Sequence, residues 1–159
     1  MPHLRRVPSS ALLALLAIFV AVFAAPAAAT PPTALTATYT VASQVPTSAK
    51  TAGVNSFLTV TAKATFAGGI TGDATGTERF LFRGDGSVAL HLRSACLCSV
   101  AGRTGTLEFH ADGGGAPGDV SGTIVGVGSD GLKGFHLNGT WSVTAPGVVT
   151  ISATHHFDG

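Results

Sequence analysis

Three polar side chains, Glu78, Arg103 and His155, stand in alternating stretches whose neighbours two positions away are apolar residues or glycine. A carboxylate, a guanidinium and an imidazole on one apolar lining suit a ligand cavity, with Glu78 as acid/base and Arg103 holding an anionic group. A plainer reading stands beside it. A charge taken out of water is costly unless paired, so Glu78 and Arg103 would meet in an ion pair that closes one end of the fold.

Cys96 and Cys98 are the only cysteines and lie on one expected inward face. In a regular strand their Cα atoms would be about 6.5 Å apart, near the upper end of disulfide reach, so a bridge needs a local kink. Two free core thiols are the alternative. His155 and His156 are adjacent, and on a strand they point to opposite faces, so one ion cannot take both without irregular backbone. His91, His110 and His136 fall on polar faces and read as surface. No nucleophile elbow, phosphate loop or metal-ligand spacing is found, so neither a metal nor a cofactor is expected.

These residues must be positioned by whatever the rest of the chain builds. Residues 1–29 are set aside first. Arg5 and Arg6, the apolar run from Ala11 to Ala25 and the small residues Ala27, Ala28 and Ala29 have the three-part layout of a secretory signal peptide. The apolar run is shorter than the roughly 20 residues of a spanning helix, so no stable membrane insertion is expected after cleavage. A secreted protein is the reading, and export favours oxidation of the cysteine pair.

Residues 30–159 are enough for one domain with its own core. Of nine Lys and Arg, Arg5 and Arg6 belong to the leader, which leaves seven against eight Asp and Glu. The charges are scattered and near balance, without the basic stripe that phosphate neutralisation requires. Nucleic acid is therefore not an expected partner.

From Ala34 onward apolar residues recur at every second position, the period of strands with one buried face. Leu35, Ala37, Tyr39 and Val41 share a face, as do Leu58, Val60, Ala62, Ala64 and Phe66 after a connection from Gln44 to Asn55. Glu78, Phe80 and Phe82 follow, with a weaker stretch from Ile70 to Gly76. Past the Gly84-Asp85-Gly86 turn signal, Val88 to Val100 alternates, then Arg103, Gly105, Leu107 and Phe109. The facing of Val120 to Gly128 is ambiguous. Phe135, Leu137, Gly139, Trp141 and Val143 precede Pro146-Gly147, and Val149, Ile151, Ala153, His155 and Phe157 end the chain. About eight strands joined mostly by short turns predict an all-β, antiparallel, eight-stranded closed barrel. Such an interior is either just filled by side chains or holds one small ligand. Gly105 and Gly139 on the inward face would mark tight coiling or leave room inside.

The segments Thr65–Gly72, Asp85–Ser87, Gly102–Phe109, Ser121–Thr123 and Gly128–Gly134, taken in order, resemble the bacterial domain of unknown function 3224 family, over roughly Ala34 to Phe157. The resemblance implies an allene oxide cyclase-like or calycin-like barrel and no established activity. The leader and the Cys-Leu-Cys pair depart from the family pattern.

The function expected from these readings is a secreted barrel binding a small, mostly apolar ligand, with Tyr39, Glu78, Phe80, Arg103, Trp141 and His155 as the interior candidates. An isomerase or cyclase that confines a reactive ligand is the alternative from fold analogy. A third is a structural or partner-binding domain using loops at Gln44 to Asn55 and Asp112 to Asp119.

Overall fold

The structure, a computed structural model, describes residues 30–158. The leader expected over residues 1–29 lies outside the described residues.

Eight strands follow one another: β1 (Thr33–Ala52), β2 (Asn55–Gly68), β3 (Ile70–Phe82), β4 (Val88–Val100), β5 (Arg103–Ala116), β6 (Asp119–Ser129), β7 (Phe135–Ala145) and β8 (Val148–Phe157). Each pairs antiparallel with the next, and β8 pairs back to β1 from Thr33↔His155 to Thr40↔Val148, so one sheet closes upon itself. Closure satisfies the backbone donors and acceptors that a free edge would expose. Among the described residues helical structure is limited to one 3-10 turn, Asp130–Leu132.

The alternation read from sequence is the alternation of burial. Leu35, Ala37 and Tyr39 on β1, Val60 to Phe66 on β2, Leu92 to Val100 on β4 and Leu107 and Phe109 on β5 all send every second side chain inward. Tyr39, Phe66 and Phe109 meet edge to face at its middle, with ring centroids 5.1 to 6.2 Å apart. That geometry sets the positive rim of one ring against the negative face of the next.

The up-and-down order sorts the connections to two ends. The chain termini and the turns at Gly68–Ile70, Ala101–Gly102 and Asp130–Gly134 lie at one end, here called the terminal end. The turns after Ala52, Phe82, Ala116 and Ala145 lie at the opposite end. Ala101 and Gly102 both have positive φ, 50° and 77°, which matches the twist of a two-residue hairpin. The terminal end is filled: Leu132 from the 3-10 turn, Phe135, Ile70 and Val100 are almost fully buried.

Gly105 makes that filling possible. A Cβ there would lie 2.5 Å from the Leu132 nitrogen and 2.6 Å from the Ser129 carbonyl oxygen. A Cβ on Gly139 would meet the Ser152 oxygen at 2.4 Å. Both glycines therefore mark close backbone approach, and neither opens space inside.

Several expectations are corrected. The connection expected from Gln44 to Asn55 is strand, because β1 runs 20 residues and turns only at Gly53 and Val54. The loop expected from Asp112 to Asp119 is likewise strand, apart from a turn at Pro117 and Gly118. Glycine and proline in these stretches lowered the apparent strand signal, but pairing with a long neighbour supplied the missing order: β2 holds the second half of β1 from Ser43↔Lys63 to Ala52↔Asn55. The weaker stretch from Ile70 to Gly76 is strand as expected, and the ambiguous facing on β6 resolves: Ile124 is buried while Val125 and Val127 face out.

Beyond Thr40 the β1 ladder continues with β2 alone. This half of β1 carries two register shifts, between Val41 and Ser43 and between Pro46 and Ser48. A bulge adds one residue to one strand and so reverses which side chains face inward. Odd-numbered residues face inward up to Val41, and after the first shift Gln44 is paired with the inward-facing Ala62.

Candidate functional site

The half of the interior towards the opposite end is hollow. A cavity of about 270 Å³ runs from Phe109, Ile124 and Trp141 near the middle to Gly147 and Val148 at the last turn. Its walls come from the inward positions of most of the strands, including Phe80, Leu90, Leu92, Ala111, Val143 and Ile151. The space exists because this end has no counterpart of Leu132, while Ala111 contributes only a methyl group.

Polar groups reach this lining at few points. The Trp141 indole nitrogen donates to the Thr123 carbonyl at 3.0 Å, so its hydrogen-bonding capacity is used within the wall. Glu78, 4 % exposed, accepts a hydrogen bond from the Gln44 side-chain amide. Tyr39, also 4 % exposed, has a buried hydroxyl with no hydrogen-bond partner among the described residues.

The electrostatics follow from burial. Loss of water pushes the Glu78 carboxyl above its ordinary value, and the Gln44 hydrogen bond offsets part of that rise. The Tyr39 phenol is pushed up as well, first by its own burial and then by the charge of Glu78. Burial in a lining made almost entirely of hydrocarbon thus raises the proton affinity of both the phenol and the carboxyl.

Four of the six interior candidates come together here: Tyr39, Glu78, Phe80 and Trp141. Arg103 and His155 do not. Arg103 opens β5 at the terminal end, is exposed, and lays its guanidinium 4.1 Å over the Phe157 ring. Arg103 is exposed because it starts β5 at the rim of the terminal end, where its stem can cover the buried Phe157 ring while the charged head stays in water. The expected Glu78 and Arg103 ion pair is absent because the two residues belong to opposite ends. His155 is half-buried at the terminal end, packed between Phe135 at 5.5 Å and Phe157 at 6.3 Å.

Gln44 is the residue that sequence reasoning missed. Its position in an unbroken alternation is outward, and only the bulge after Val41 brings it to the lining. The Ser43-Gln44-Val45-Pro46 run holds a proline and no apolar rhythm, which is the one hint that the alternation is interrupted.

Cys96 and Cys98 form a disulfide, with Cα atoms 5.4 Å apart, and both are buried in the filled half. Gly72 and Gly105 flank Cys98 in the ladders on either side. A Cβ on Gly72 would sit 3.2 Å from the Cys98 sulfur and 2.4 Å from the Leu97 oxygen, so a side chain there would crowd the bridge. The bridge stands apart from the cavity and serves the core.

No family model matches the chain, and no curated protein is similar to it. Among solved structures, a protein of unknown function of the DUF3224 family from Shewanella oneidensis MR-1 superposes with a TM-score of 0.69 at 18% identity, covering 81% of this chain and 99% of its own. A protein of unknown function from Clostridium acetobutylicum ATCC 824 superposes with a TM-score of 0.51 at 12% identity, covering 80% of this chain and 98% of its own. The chain therefore shares its fold with a DUF3224 protein, in agreement with the resemblance carried by the turn segments.

Proposed function

We propose that this chain is an exported protein of the DUF3224 kind, built as an eight-stranded barrel of the allene oxide cyclase-like or calycin-like type, that binds a small, mostly apolar molecule bearing one hydrogen-bonding group. One observation carries the reading: Tyr39 lines an apolar cavity and its hydroxyl is buried without a hydrogen-bond partner. Leaving such a group unpaired costs about 1–3 kcal/mol. A ligand that accepts a hydrogen bond from the hydroxyl, or donates one to its oxygen, recovers that cost only when seated in this cavity.

The size of the space limits the ligand to the small end of the usual range, since small-molecule sites span roughly 300–1,000 Å³. Glu78, whose carboxyl burial pushes above its ordinary value, would offer a second hydrogen-bonding point. The leader layout of residues 1–29 and the Cys96 to Cys98 bridge both support an oxidising location outside the cytoplasm.

A second reading is a proton-transfer enzyme, an isomerase or cyclase acting on the same confined ligand. It rests on Glu78, a carboxyl with raised proton affinity inside a cleft, which is the environment that tunes general acids and bases. The structural or partner-binding alternative no longer has the two loops on which it was placed, because both stretches are strand.

Trp141 is the single tryptophan and lies on the cavity wall, so its fluorescence reports occupancy directly. Titration with a graded series of small alcohols and carboxylic acids is expected to give a saturable change. Ala111→Leu, which fills the space, is expected to abolish it. A response that is unsaturable, or that survives the filling substitution, refutes cavity binding. Turnover of a bound compound that is lost in Glu78→Gln would favour the enzyme.

A further inference from the structure

On the outer surface, away from the cavity, we infer that His136, His156 and Asp158 form a binding site for a divalent transition metal. The sheet register produces it. His136 on β7 and His156 on β8 are directly paired, and their neighbours Phe135, Leu137 and Phe157 point inward, so both imidazoles project from the same outer patch. The rings stack at 5.0 Å with 15° between their planes, which brings the two Nε2 atoms to one side.

Asp158 supplies the third donor. Its carboxylate lies 2.9 Å from His136 Nε2 and 3.6 Å from His156 Nε2, and one ligand atom from each residue falls within 4.8 Å of the others. Its position is set by the main chain, because the Asp158 amide donates to the Gly134 carbonyl at 2.8 Å. Zinc bonds to nitrogen and oxygen of roughly 2.0–2.1 Å in tetrahedral geometry separate neighbouring donors by about 3.4 Å. His136 Nε2 lies 2.9 Å from Asp158 Oδ2, His156 Nε2 lies 3.6 Å from Oδ1, and one donor atom of each residue falls within 4.8 Å of the others, so loading an ion needs the side chains to shift by about 1 Å.

Two imidazoles and one carboxylate suit zinc, copper or nickel better than calcium or magnesium, which prefer all-oxygen sets. The three side chains are 36 to 58 % exposed, open enough for an ion to enter. His136 and His156 also line a surface groove of about 600 Å³ together with Glu108 and His110. Three protein ligands beside an open groove leave a coordination position for water or an exogenous donor, the layout of reactive rather than closed structural sites.

The test is calorimetric titration of tag-free protein with Zn²⁺, with Ca²⁺ as the contrasting ion. One saturable Zn²⁺ site per chain is expected, with no comparable Ca²⁺ site. His136→Ala and His156→Ala are each expected to weaken it by at least the roughly 10–100-fold that loss of even an outer partner costs. His91→Ala, which removes an exposed imidazole paired with Asp112 elsewhere on the surface, is expected to leave it unchanged. Imidazole nitrogen resonances of His136 and His156 shifting on Zn²⁺ addition to the unmutated protein provide a measure that does not depend on variant folding. Absence of a saturable site, or wild-type affinity in both histidine variants, overturns the assignment.

Discussion

Gln44 reaches across β2 to hydrogen-bond Glu78 on β3, joining a residue from the bulged half of β1 to the one buried carboxyl among the described residues. This contact sets the polar end of an otherwise hydrocarbon cavity. It also determines how the protein should answer to pH.

Burial makes the folded chain hold the Glu78 proton more tightly than the unfolded chain does. Its contribution to stability is therefore full at pH below the ordinary carboxylate value and is lost as pH rises through the raised one. Urea midpoints from about pH 4 to 8 should show this loss in the wild type and a flatter profile in Glu78→Gln. At the upper end of the range the variant should be at least as stable as the wild type. A steeper loss in Glu78→Gln would mean that the ionised form is the one the fold favours.

Tyr39→Phe removes a hydroxyl that has no partner within the described protein, while keeping the ring that packs on Phe66 and Phe109. The substitution should raise the unfolding free energy by about 1–3 kcal/mol, since the cost of an unpaired buried group disappears. Ligand-induced change in Trp141 fluorescence should weaken in the same variant. A loss of stability above about 1 kcal/mol would show that the hydroxyl is paired in solution.

The cation of Arg103 lies over the Phe157 ring at an exposed site, where such contacts are worth about 0.5–1 kcal/mol. Arg103→Met should cost no more than that and leave cavity binding intact. Combined with Glu78→Gln, the effects should add, because the residues belong to opposite ends. Coupling of several kcal/mol in that cycle would restore the buried ion pair.

Gly105→Ala places a methyl group 2.5 Å from the Leu132 backbone nitrogen. Overpacking against main chain that cannot retreat should cost about 1–3 kcal/mol, read as a lowered urea midpoint. Unchanged stability would show that the 3-10 turn at Asp130–Leu132 moves freely.

The Cys96 to Cys98 bridge closes a loop of only three residues, so its effect on the unfolded chain is small, about 1.5 kcal/mol on the chain-entropy estimate. Reduction should lower Tm by several degrees and leave the fold and the cavity intact. Unfolding on reduction at room temperature would contradict a fold carried by its sheet and core.

The two-residue rhythm of Leu35 to Val41, Leu58 to Phe66, Leu92 to Val100 and Phe135 to Val143 was enough to establish an all-β chain, its strand count and nearly every inward side chain. That follows because facing in a strand depends on parity alone, a property local to each run. The same rule placed Tyr39, Glu78, Phe80 and Trp141 on the lining. It could not reveal a change of parity within one strand, so Gln44 was hidden until the β1 and β2 register exposed the bulge. Nor does parity record height along the sheet: Glu78 and Arg103 share an apparent facing yet sit at opposite ends, and His136 meets His156 only through the pairing of β7 with β8. Distances between strands arise from register and closure, which depend on the packing of the whole chain.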